Sequence, residues 1–119
     1  MALFNELPVY QRCNDLLASF SKLLPGMNRV YRVIYGERIS QYIIEVMASL
    51  FKANRDKRLK SQYLMLSREE FVKVVIGIRL LYELRAINKK SFINLSLMTE
   101  DVSKQLATWY DQAKNERIQ

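Results

Sequence analysis

The chain contains no histidine, which removes the commonest general base and the commonest nitrogen ligand for a metal. Its single cysteine, Cys13, cannot close an internal disulfide. Without a histidine it can form neither a structural zinc site nor a Cys–His nucleophile pair. The three glycines, Gly26, Gly36 and Gly77, stand apart from one another, so no glycine-rich phosphate loop is present. With only two prolines as well, the sequence argues against a turn-rich β fold and for long helices with short connections. No apolar run approaches ~18 residues, so no membrane span is expected. The opening stretch Met1–Glu6 lacks the basic start and apolar core of a secretion signal, and a lone cysteine suits a reducing compartment; a cytoplasmic location is expected. The adjacent carboxylates Glu69-Glu70 and Glu100-Asp101 are read as helix-start residues favoured by the helix dipole, not as an acid–base pair. No catalysis, no metal and no cofactor are expected from this inventory.

What is present is a balanced globular composition with a basic centre. Half of the 119 residues are apolar and 26% are charged, which fits one folded domain over residues 1–119. The formal net charge is +7, and it is unevenly placed. Residues 29–60 carry eight basic side chains against three acidic ones, and residues 61–90 carry six against three. The flanking segments are balanced or slightly acidic. An excess of this kind speaks to partners and not to fold.

Hydrophobic periodicity predicts four helices. Pro8 opens the first, where a missing N–H costs little, and Val9, Cys13, Leu16, Leu17, Phe20, Leu23 and Leu24 make its apolar face before Pro25-Gly26 stops it. The second runs from about Asn28 to Asn54, with a stripe of Ile39, Ile43, Val46, Met47, Leu50 and Phe51. Its first part, Val30 to Tyr35, has little polar surface, so Gly36 marks either a kink or the limit of a segment covered by another chain. Ser67-Arg68-Glu69-Glu70 fits a capping box and is expected to start the third helix, which extends to about Ile87. That helix has two apolar faces: Phe71, Val74, Val75, Ile78 and Tyr82 on one, Val72, Ile76, Leu80, Leu84 and Ile87 on the other. Two apolar faces call for a second packing partner, and self-association is the simplest source. The fourth helix presents Leu95, Met98, Val102, Leu106, Trp109, Tyr110 and Ala113, and its tail is expected to fray from Asp111. The expected architecture is an all-α, antiparallel up-down four-helix bundle that self-associates into a homo-oligomer.

A run of charge is commonly a solvated face. Here five basic residues fall between Lys52 and Lys60, and arginine outnumbers lysine across the middle of the chain, which favours bidentate contact with phosphate. Candidate nucleic-acid contacts are Arg38, Lys52, Arg55, Lys57, Arg58, Lys60, Arg79 and Arg85. Arg85 also projects towards an apolar stripe, where pairing with an acid is the alternative. Candidate oligomer contacts are Val72, Val75, Ile76 and Leu80. Tyr31, Tyr35, Tyr42 and Tyr63 offer faces for stacking on unpaired bases, although boundary packing is the simpler reading for most of them.

Four segments carry a family resemblance: Leu7-Pro8-Val9-Tyr10, Phe51-Lys52-Ala53-Asn54-Arg55, Ile78 to Ile87, and Val102 to Trp109. In this order they resemble a four-helix-bundle family. It includes the accessory variability determinant proteins of diversity-generating retroelements and the proteins encoded by intervening sequences in bacterial large-subunit rRNA genes. The intervening-sequence branch carries an Asn-Ile-Ala-Glu-Gly-like stretch near the end of the second helix; Lys52-Ala53-Asn54-Arg55-Asp56 has no Glu-Gly, which favours the retroelement branch. The resemblance implies a basic, ring-like homo-oligomer, a pentamer, without catalysis that binds RNA, with DNA as a second polyanion. It also implies association with a reverse transcriptase during mutagenic copying of a template RNA. Two other readings stay open: an intervening-sequence-type bundle, and an interaction module whose basic surface meets an acidic protein.

Overall fold

A computed structural model describes residues 7–118 as four helices joined by short connections, with no strand among them. Met1–Glu6, expected to hold no secretion signal, lies outside the described residues. Helix α1 spans Pro8–Ser21 with Pro8 in its first turn. Val9, Cys13, Leu16 and Phe20 follow at helical spacing and are all buried. Helix α2 has three parts: Arg29–Tyr31, a π turn at Arg32–Gly36, and Glu37–Arg55. Asn28 caps it by accepting the Val30 N–H at 2.8 Å. The irregularity expected at Gly36 is this π turn. A Cβ added at Gly36 would lie 2.7 Å from Leu24 Cδ2, so the α1–α2 connection packs directly on the glycine backbone.

Helix α3 spans Lys60–Glu83 and begins a full two turns before the expected capping box. Ser67 is buried inside the helix and donates its hydroxyl to the Tyr63 carbonyl at 2.9 Å, while Glu70 accepts from the Ser49 hydroxyl at 2.8 Å. The turn before α3 is organised by Asp56 instead, whose Oδ1 accepts the N–H groups of Arg58 at 3.0 Å and Leu59 at 3.3 Å. The helix also stops earlier than expected. Arg85 lies at φ 62°, and the Ala86 and Arg85 N–H groups return to the Leu81 and Tyr82 carbonyls at 2.8 and 2.9 Å. This is the Schellman pattern with an arginine in the usual glycine position. Helix α4 spans Lys89–Ile118, with Asn88 accepting the Ser91 N–H at 2.8 Å. It does not fray at Asp111: the helix continues, Ala113 is buried, and Glu116 pairs with Lys60 at 3.7 Å.

Contacts between helices fix their directions. Ile39 meets Gly77, Ser49 meets Glu70 and Lys52 meets Tyr63, so α2 and α3 run antiparallel. Tyr82 stacks on Phe92 with centroids 4.2 Å apart, while Arg68 meets Tyr110 and Lys60 meets Glu116, so α3 and α4 do the same. Arg12 Nε lies 2.9 Å from Asp101 Oδ2, which ties α1 to α4. The resulting bundle measures 50 × 21 × 18 Å. Its core combines Val9, Cys13, Leu16 and Phe20 of the predicted α1 stripe, and the predicted α2 stripe except the half-buried Phe51, with Leu64, Phe71, Val74, Ile78 and Leu81 from α3 and Leu95, Met98, Val102 and Leu106 from α4. Val75, expected beside Phe71 and Val74, is exposed instead. Neither acidic pair starts a helix: Glu69-Glu70 lies within α3, and Glu100-Asp101 lies within α4, where Glu100 pairs with Lys104 at 3.1 Å.

A Cβ at Gly77 would lie 2.7 Å from both Cδ1 and Cγ1 of the buried Ile39. Gly77→Ala is therefore expected to lower stability. Overpacking costs about 1–3 kcal/mol, and the better helix propensity of alanine returns at most about 1 kcal/mol. A denaturant titration measures the net loss; an increase in midpoint would contradict the close approach. Burial pushes the Cys13 thiol up to about 12 from 9.0. The folded chain thus keeps this proton when the unfolded chain has lost it. The contribution of the site is complete below about pH 9 and declines as pH rises towards 12. The stability difference between the parent protein and Cys13→Ala should shrink between about pH 8 and about pH 11; a constant difference would contradict the shift.

Candidate nucleic-acid interface

The end of the bundle formed by the α2–α3 turn is basic for local reasons. Lys52 and Arg55 occupy the last turn of α2, where cations meet the partial negative charge of the helix C-terminus. Asp56, the one carboxylate of the turn, directs an oxygen at backbone N–H groups. Lys52, Arg55, Lys57 and Arg58 remain exposed. Lys60 is half-buried, with Nζ 3.7 Å from Glu116 and 5.4 Å from the centre of the Trp109 ring. A cleft of about 400 Å³ opens here between the turn and the end of α4, lined by Lys57, Arg58, Lys60, Ser61, Ala113 and Glu116. Five of the eight candidate cations thus converge on one end.

The other three do not join them. About 17 residues of helix separate Arg38 from Arg55, roughly 25 Å along the axis. Arg79 lies near the opposite end of α3, and its Nε bonds Glu83 at 3.2 Å, one helical turn away. Arg85 occupies the α3 C-terminus and is exposed, because its left-handed backbone turns the chain out of the helix; it does not project into an apolar stripe.

Cations resting over aromatic rings are the feature that sequence spacing could not deliver. Lys52 Nζ lies 5.9 Å from the Tyr63 ring centre, Arg68 5.2 Å from Tyr110, and Lys73 5.3 Å from Tyr42. Each pair spans two helices. Only Arg55 over Phe51, at 5.2 Å and four residues apart on α2, was accessible from sequence. Tyr63 and Trp109 are both half-buried and packed against the core.

A second feature is apolar. Val72, Val75 and Ile76 on α3 are 55%, 39% and 62% exposed, and Leu80 is half-buried. The three exposed residues line a cleft of about 520 Å³ against Ser103 and Leu106 of α4. Exposed apolar side chains also occur at Val30, Val33 and Ile34 around the π turn, and at Ile93 and Leu97 on α4, the last two unforeseen. Among the described residues, no helix is long and apolar enough to cross a membrane, and no three side chains of the His, Cys, Asp and Glu types gather as they would around a metal ion. Compared with protein-family models, curated proteins and solved structures, the chain matches none.

Proposed function

We propose that the protein is a non-enzymatic nucleic-acid-binding accessory protein that works as a homo-oligomer, with the polyanion held at the α2–α3 end. The convergence of Lys52, Arg55, Lys57, Arg58 and Lys60 around one turn and one cleft supports this reading most strongly. Four of these side chains extend into solvent, where they can meet phosphate without losing a core contact. Among the described residues, Glu116 is the one acid lining the cleft. By the resemblance stated above, the polyanion is a template RNA and the protein partner is a reverse transcriptase. Arg79 and Arg85, towards the far end, and Arg38, about halfway along the bundle, are then candidates for the polymerase contact.

Reversing Arg55 and Arg58 to Glu tests the polyanion site. Binding of a fluorescent RNA should weaken by at least about tenfold, since each phosphate contact contributes a salt-dependent increment. The melting curve should stay near that of the parent, because both side chains are exposed. Unchanged affinity would reduce the turn to a solvated face. A loss of reverse-transcriptase association with RNA affinity intact would give this surface to an acidic protein partner.

The oligomer is supported by the exposed strip Val72, Val75 and Ile76, with Leu80 at its border. Light scattering should give a mass several times 14.1 kDa. Ile76→Asp should lower that mass while the helical signal persists. Val74→Asp, at a fully buried position, should unfold the subunit. If Ile76→Asp leaves the mass unchanged, this strip is not the interface.

A further inference from the structure

We infer that the basic end takes single-stranded rather than duplex nucleic acid, with Tyr63 and Trp109 as the surfaces on which unpaired bases stack. The inference rests on the nucleic-acid reading and adds the strandedness of the ligand. Lys60 lines the cationic cleft and holds its ammonium 5.4 Å over the Trp109 ring. Tyr63 stands one turn further along α3 and carries the ammonium of Lys52 at 5.9 Å. Two ring faces, each covered by a cation, therefore lie on α3 and α4, the helices whose ends border the cleft lined by Lys57, Arg58 and Lys60.

A strand entering this cleft can exchange both partners at once. Each ammonium moves from a ring to a phosphate, and a base takes its place on the ring. The exchange is favourable in magnitude: an exposed cation–π contact contributes about two- to fivefold, and base–aromatic stacking about five- to a hundredfold per base. The ammonium of Lys52 also gains a charged partner, while that of Lys60 exchanges Glu116 for a phosphate. A duplex can make only half of this exchange, because its bases are already stacked on one another. Its grooves are closed to this end as well. The bundle is 21 × 18 Å in cross-section, whereas the major groove is about 12 Å wide. Duplex binding would be confined to backbone phosphates.

Trp109 is the sole tryptophan, so the unmodified protein reports on its own ring. The test compares an RNA of about twelve nucleotides with a duplex of equal phosphate number, each followed by anisotropy and by Trp109 emission. The single strand should bind roughly tenfold more tightly and quench Trp109 in step with binding, and the duplex should leave the emission unchanged. Tyr63→Leu should cost the single strand about fivefold or more and leave duplex affinity and the salt slope intact. Equal affinities without quenching would overturn the stacking inference while leaving a phosphate-binding end. Failure of both probes to bind would overturn the nucleic-acid reading itself, and this inference with it.

Discussion

The close antiparallel seam between α2 and α3 is the constraint on which the rest of the molecule depends. Its tightest point is Gly77, whose missing side chain admits Ile39, and its hydroxyl–carboxylate contact joins Ser49 to Glu70. With the two helices held this close, the chain must reverse within the few residues from Asp56 to Leu59. That short reversal gathers the cations from the end of α2 and the start of α3 around one cleft. The same seam also settles which side of α3 is inside. Leu64, Phe71, Val74, Ile78 and Leu81 face α2 and the core, so Val72, Val75 and Ile76 are left outside.

Most of the architecture was legible in the sequence because α1, α2 and α4 each carry one apolar stripe. In α2, Ile39, Ile43, Val46, Met47 and Leu50 all proved to be buried. Helix α3 was harder for a physical reason. With apolar residues on both sides, periodicity alone cannot say which side packs inward, and Val75 was grouped with the wrong face. Ser67 misled for a related reason: a serine three residues before a glutamate has the same spacing at a helix start as within a helix. Here its hydroxyl bonds the Tyr63 carbonyl one turn back. The end of α3 was missed because Arg85 adopts a left-handed backbone that a glycine would have announced.

The candidate site was legible as a cluster of charge but not as a geometry. Sequence spacing placed Lys52 to Lys60 together, since they are close along the chain. It also grouped Arg38, Arg79 and Arg85 with them, and the length of α2 and α3 carries those three away from the turn, Arg85 to the opposite end. Contacts between helices were beyond its reach, including Lys60 with Trp109 and Lys52 with Tyr63. These pairings make the basic end more than a charged surface, because they set aromatic faces beside its cations.

The account requires that charge at the α2–α3 end provides the main attraction for nucleic acid. A salt titration of single-stranded RNA binding by the intact protein addresses this most directly. Engagement of the four exposed cations should give a slope of about −3 in log affinity against log salt for each end that binds, at about 0.7 per phosphate neutralised. A flat dependence, or no binding at low salt, would contradict the account.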